Sequence, residues 1–194
     1  MNYFENVKKE LYKFENLGVM TSENGAILIG KANHLGDEAW LNKIYPILND
    51  NDIKKIEMEL PTKIPEVYKF FLLNYSNGLN VCLSSFYLDG LRKQLGRSIE
   101  ASRQPYSIIT TNTQEKPQNS KDSYFFIGGY NWDGSHLYID VNTGGIHCCD
   151  RYDATSRYKW NSFEEMIVEE TKRIGTLFDE KGMEINEDVC TLPY

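Results

Sequence analysis

The segment Ile64-Pro65-Glu66-Val67-Tyr68-Lys69-Phe70-Phe71-Leu72-Leu73-Asn74-Tyr75-Ser76-Asn77-Gly78 carries the most structural information in the chain. Pro65 fits the first turn of a helix, where a missing N–H is harmless and φ is already set. Glu66 complements the positive end of the helix dipole, and Asn77-Gly78 supplies left-handed residues that end a helix. Apolar side chains surround nearly the whole circumference, so the segment reads as a central helix buried on most sides. Ile64, Pro65, Asn77 and Gly78 are therefore assigned structural roles.

Working back from this helix, Ile53, Ile56 and Leu60 give one or two further helical turns closed by Pro61. Asp37 to about Leu48 is a second helix candidate, apolar at Trp40, Leu41, Ile44, Tyr45 and Leu48, with Pro46 implying a kink or early end. Asn24-Gly25 marks a turn before a short strand, Ala26 to Ile29. Phe4, Val7, Leu11 and Phe14 lie at helical spacing before Gly18, which predicts a helix over about residues 2 to 16.

Beyond Gly78 the pattern changes to period two or short apolar runs: Val81 to Leu88, Tyr124 to Tyr130, His136 to Val141 and Ile146 to Tyr152. Turn signals at Asn131-Trp132-Asp133-Gly134 and Asn142-Thr143-Gly144-Gly145 make the last three an antiparallel meander. Between about 92 and 121 the chain turns polar, with Arg92, Lys93, Arg97, Arg103, Lys116 and Lys121 against Glu100 and Glu115. Its Thr110 to Ser120 portion is expected to be loop or partly disordered. Trp160, Phe163, Ile167 and Ile174 fall near one face of a final helix, capped by Asn161 or Ser162, with Glu164 and Glu165 in its first turn.

At 194 residues, 41% hydrophobic and 25% charged, the composition is that of a globular chain with enough length for a core without disulfide staples. The adjacent Cys148 and Cys149 would point to opposite faces of a strand, so reduced thiols are expected. The densest apolar runs, Phe70 to Leu73 and Ala26 to Ile29, are four residues long, against the roughly 18 a membrane span needs. Glu5, Lys8 and Lys9 stand where a secretory signal would be apolar, so a cytoplasmic location is expected. The formal net charge of −7 argues against general attraction to nucleic acid or anionic membrane. Most of that charge lies in residues 161 to 194, where nine acidic side chains face three basic ones.

Candidate chemistry is sparse. His34, His136 and His147 lack motif spacing; a zinc site from His136, His147 and Cys149 is geometrically conceivable, but packing within a sheet is the expected role, with no metal and no cofactor. No phosphate-cradling glycine loop, nucleophile elbow or local Cys/His signature is present. Trp132 at a hairpin tip is either folded onto the core or displayed to a partner. The acidic run is either a solvated helix face or a binding surface.

Together these blocks resemble the SUKH superfamily, whose members include bacterial immunity proteins and the yeast Smi/Knr cell-wall regulators. Ile53 to Leu60 looks like the family's short helix, and Ile64-Pro65 followed by Val67-Tyr68, Phe71-Leu72 and Asn77-Gly78 looks like its hallmark helix. Phe126-Ile127-Gly128, Asp133-Gly134, Leu137 to Asp140 and Gly145-Ile146 are similar to its meander; Trp160, Ser162, Phe163 and Glu164-Glu165 resemble the opening of its last helix. About 50 residues precede the first block, and the polar segment near 92–121 looks like an insertion, within one SUKH-like domain spanning 1–194.

The resemblance implies an α+β fold, a central antiparallel or mixed sheet with helices around it, and binding rather than catalysis. It further implies neutralisation of a co-produced toxin domain, often a nuclease, in a polymorphic or contact-dependent toxin system. A basic nuclease site suits an acidic binder, so Glu164, Glu165, Glu169 and Glu170 on the final helix, with Trp132 and Asp133 at the hairpin tip, are the candidate partner-binding residues. The alternatives are an intracellular regulatory scaffold or adaptor of the same fold and a small enzyme with an unrecognised site.

Overall fold

Among the described residues, nine strands follow one another through a single antiparallel sheet whose spatial order is the chain order: β1 (Val19–Thr21), β2 (Ile27–Lys31), β3 (Trp40–Ile44), β4 (Leu79–Val81), β5 (Phe86–Leu88), β6 (Tyr124–Gly129), β7 (His136–Asp140), β8 (Ile146–Cys149) and β9 (Ser156–Trp160). The helices are α1 (Tyr3–Leu11), continued by a 3₁₀ segment Tyr12–Leu17, then α2 (Asp50–Glu59), α3 (Glu66–Asn74), α4 (Ile99–Ser102), α5 (Ile108–Thr113) and α6 (Phe163–Gly175). This computed structural model describes residues 2–96 and 98–194; Met1 and Arg97, the latter one of the basic residues of the polar segment, lie outside the described residues. The architecture is α+β.

One face of the sheet is covered by helices. Phe125, Ile127, Leu137, Ile139 and Cys148 point into the main core with Phe4, Tyr68, Phe71 and Phe163. Phe126, Tyr138 and Cys149 form a cluster on the other face with Ala154, so Cys148 and Cys149 do diverge. The amino-terminal residues extend the same sheet: β3 pairs with β4 through Lys43–Asn80 and Ile44–Leu79.

Several sequence expectations are corrected here. Residues 37–48 are not a helix; Trp40–Ile44 is a strand buried on both faces, and such a strand has no period-two signature, so its apolar spacing imitated a helix. Val81 to Leu88 is a hairpin whose turn places Cys82, Leu83 and Ser84 at φ of 44°, 61° and 71°. Asn80 Oδ1 accepts from the Ser84 N–H (2.9 Å) and Asn42 Oδ1 from that of Cys82 (2.9 Å), which holds this unfavourable run in place. Strand β9 carried no recognisable signal, four of its five residues being exposed.

Helix α3 stops at Asn74 and has a wet side: Phe70 is 52% exposed, while Tyr68, Phe71 and Leu72 are buried. Its terminus is Tyr75 rather than Asn77, whose φ is not positive. Gly78 does sit at φ +83°, three residues later, where a Cβ would come within 2.6 Å of the Leu88 carbonyl oxygen. Asn77 instead clamps backbone: its Oδ1 accepts from the Leu91 N–H (2.7 Å) and its Nδ2 donates to the Leu91 carbonyl (2.9 Å).

The polar segment is ordered by the same device. Of the described β6 residues, β5 pairs with Gly128 and Gly129 alone, which leaves the first half of β6 without a strand partner on that side. Asn112 of α5 fills the gap, accepting from the Phe126 N–H (2.9 Å) and donating to its carbonyl (2.8 Å). Gly90 and Ser107 form a parallel bridge that stitches the segment to the end of β5. Among the described residues no helix is long and apolar enough to cross a membrane.

Candidate functional site

Three loops meet over the sheet face opposite the helices and enclose a cleft of about 930 Å³. The first is the β6–β7 turn. Gly134 takes φ +80°, Asp133 Oδ1 accepts from the Ser135 N–H (2.8 Å), and Trp132 is left 47% exposed. The second is the β8–β9 loop, where the Arg151 guanidinium lies 5.3 Å from the centre of the Tyr152 ring and Tyr152 is 79% exposed. The third is the stretch Gln114 to Gln118 after α5.

Asn119 ties the last two together. Its Oδ1 accepts from the Ala154 N–H (2.8 Å) and its Nδ2 donates to Asp153 Oδ1 (2.7 Å). Hydrogen bonds from Thr155 and Asn119 hold the exposed Asp153 carboxyl down at about 2, so it stays an acceptor throughout the physiological range.

The floor is formed by Tyr87 and His136. His136 follows the β7 alternation onto this face, packs edge-on against Phe126 and pairs in register with Cys149. Burial and then the Arg151 charge push its pKa down, against a smaller opposing pull from Asp133, so the ring is neutral near pH 7. Its Nδ1 is buried without a hydrogen-bond partner. Beyond Tyr87, Asp89 is wholly buried; burial raises its pKa to about 7, with the Thr111 hydroxyl pulling back and Glu115 adding to the rise.

The residues singled out from sequence are not brought to one place. Trp132 and Asp133 line the cleft; none of the four glutamates does. Glu165 turns back to accept from the Asn161 N–H (2.8 Å), and Glu164 is half-buried at the same end of α6, within electrostatic reach of Tyr3. Glu169 is exposed. Glu170 is a correction: it is 2% exposed, accepts from the Tyr130 hydroxyl (2.7 Å), and is gripped through two bonds by Arg173 (2.9 and 2.6 Å), whose fork also reaches the Thr191 carbonyl (2.6 Å). It holds the hairpin base, the last helix and the carboxy-terminal strap together rather than facing a partner.

Apart from Glu169, the exposed acids of the run lie in the carboxy-terminal strap after α6, where Glu180, Glu184, Glu187 and Asp188 stand beside exposed Met183, Ile185 and Val189. Arg151, Tyr152 and Lys116 of the cleft were missed, since single polar residues in loops carry no periodicity. As for metal, no group of three His, Cys, Asp or Glu side chains is arranged to hold an ion among the described residues. His147 is stacked on Tyr138, 5.0 Å between ring centres, with Nδ1 2.8 Å from the Ser156 hydroxyl.

Residues 47–169 match the model of the SMI1 / KNR4 family (SUKH-1). No curated protein is significantly similar to the chain.

Proposed function

Because the chain belongs to the SMI1 / KNR4 family (SUKH-1), we propose that it is a non-enzymatic, cytoplasmic immunity protein that neutralises the toxin domain of a polymorphic or contact-dependent system, a nuclease in our reading. The observation that supports this most is the pair of large aromatics, Trp132 and Tyr152, exposed together at the mouth of a pre-formed cleft. Exposed aromatics on loops braced from beneath are the usual anchors of protein interfaces, because they desolvate much area while losing little rotamer freedom. The acidic strap adds long-range attraction toward a basic, phosphate-binding active site.

The test is co-expression with the toxin domain encoded beside its gene. A one-to-one complex that blocks nuclease activity and associates more slowly as salt rises is the expected result. Failure to form that complex at micromolar concentrations, or capture of a regulatory enzyme instead, would replace immunity with the scaffold reading.

A further inference from the structure

We propose that the cleft contains an oxyanion subsite, formed by the Arg151 guanidinium, Lys116 and the His136 ring, that receives a carboxylate side chain of the partner protein. That the occupant is a protein rests on the reading above; the oxyanion chemistry of the subsite does not.

Arg151 is preset. Its aliphatic stem crosses the hairpin tip in the space that Gly134 leaves free, where a Cβ would meet Arg151 Cδ at 3.0 Å, and its guanidinium rests over the Tyr152 ring. Neither Arg151 nor Lys116 is in an ion pair among the described residues, although both line the cleft. At the floor, His136 Nδ1 is sealed without a partner. An orphaned buried N–H is worse than an orphaned lone pair, so the favoured tautomer carries its proton on Nε2, the nitrogen on the ring edge left to the cleft. The result is an unpaired guanidinium and a neutral donor, neither met by an acceptor among the described residues.

The lining also sets the class of anion. Glu115 and Asp133 balance Lys116 and Arg151, so a polyanion such as a nucleic-acid backbone meets as much repulsion as attraction, whereas one carboxylate can lie between Arg151 and His136. The volume of about 930 Å³ far exceeds an ion and suits a loop bearing an acidic side chain, with Trp132 and Tyr152 flanking its entry. A toxin is thus met by two opposite charges: the strap draws its basic site, and the cleft fixes register by taking one acidic side chain.

Binding of an anion beside His136 must raise its pKa, so affinity should increase as pH falls through it. Facing His136 are Cys149 from β8, Tyr87 from β5, Arg151 and Asp133 from the loops, and Glu115 and Lys116 across the cleft. Buried Asp89, raised to about 7, also titrates in this window.

The experiment follows the His136 ring resonances by NMR in the full chain, adding acetyl-Gly-Glu-Gly-amide, its glutamine analogue, or inorganic phosphate between pH 7.5 and 5.5. The glutamate peptide should bind about tenfold more tightly at the lower pH and raise the His136 pKa, and Asp89→Asn should keep this dependence. The glutamine analogue should leave the ring unmoved. Arg151→Gln should weaken binding at least tenfold and Arg151→Lys less, while Arg157→Gln, outside the cleft, should not. Equal response to the glutamine peptide, an unaltered Arg151→Gln variant, loss of the pH dependence in Asp89→Asn, or tighter binding of phosphate would each overturn the proposal. A responding His136 in a protein that captures no toxin would instead overturn the immunity reading and leave the subsite standing.

Discussion

On the helix side of the sheet, Phe4, Tyr68, Phe71 and Phe163 meet with ring centres 5.3 to 5.9 Å apart, and the Tyr68 hydroxyl among them is used up on the carbonyls of Asp89 and Ile127. On the cleft side, order depends on single polar contacts between residues distant in sequence: Asn112 with Phe126, Asn119 with Ala154, Asp133 with Ser135. The first side is redundant, since each ring touches several others and apolar burial is non-directional. The second has no such reserve: losing the Asn112 amide would strand both backbone groups of Phe126 at once, and losing Asn119 or Asp133 would leave a backbone N–H without its acceptor. A rigid helix-backed sheet therefore carries a face whose loops can be rebuilt residue by residue, an arrangement suited to a binding protein.

The sharpest way to break the close-packed side is Gly78→Val. The left-handed φ of +83° costs about 1–3 kcal/mol for a branched residue, and the new Cβ would press on the Leu88 carbonyl at 2.6 Å and on Pro105 Cβ at 2.9 Å. A loss of at least about 3 kcal/mol is expected in urea unfolding, and wild-type stability would show that the backbone here is freer than the packing implies.

Asp89 tests the boundary between the two sides. Its folded pKa of about 7 lies above the ordinary 3.8, so the folded state holds the proton more tightly and stability is fully present below pH 4. Stability should fall as pH rises from about 4 to about 7, by up to a few kcal/mol, and then level off. Asp89→Asn should flatten that slope. An unchanged slope in the variant would mean that Asp89 is paired in solution.

Two adjacent glutamates sharpen the comparison within one helix. Glu170→Ala removes the acceptor of Tyr130 and leaves the partly buried Arg173 without its carboxylate, which should destabilise by about 2 kcal/mol after allowance for the solvent that Arg173 retains. Glu169→Ala, on the exposed side, should change stability by no more than about 0.5 kcal/mol. Equal thermal melting of the two variants would remove Glu170 from its bracing role.

The same division explains what the sequence made legible. Helices α1, α2 and α6 were readable because one-sided burial imposes a period on the chain, α3 because Pro65 and the Asn77-Gly78 pair bracket an apolar run, and the β6–β8 meander because short apolar runs alternate with turn residues. Strand β3 was not, because burial on both faces erases the period that separates strand from helix. The asparagine clamps were invisible for another reason: an amide that completes a strand edge needs a particular partner in space and leaves no spacing in sequence. For the site, Trp132 and Asp133 stood out through turn chemistry, whereas Arg151 and Lys116 look like any loop cations until the fold brings them into one cleft with His136. The count of acids did not show which of them are free to face a partner, since charge alone does not distinguish a buried brace such as Glu170 from an exposed neighbour such as Glu169.

The smallest effect on stability should come from the residue with the largest effect on recognition. Trp132 is about half exposed on a turn whose geometry is set by Gly134 and by the Asp133–Ser135 bond, so Trp132→Ala should melt within about 0.5 kcal/mol of wild type. Its ring stands beside the cleft with Tyr152, and a desolvated aromatic at an interface acts on dissociation, so the proposed toxin complex should dissociate at least tenfold faster with association little changed. Replacing the strap acids Glu180, Glu184, Glu187 and Asp188 with amides should do the reverse, slowing association and flattening its salt dependence, because exposed charges act at long range and are screened. The α6 glutamates Glu164, Glu165 and Glu169, changed to glutamine as a set, should alter both rates less than the strap does, given that Glu165 is engaged with Asn161 and Glu164 is half-buried. Surface plasmon resonance on the three variants separates these contributions. Should the α6 set slow association more than the strap, the acidic face that steers the partner lies on the helix, and the cleft side would be reduced to holding what the helix side attracts.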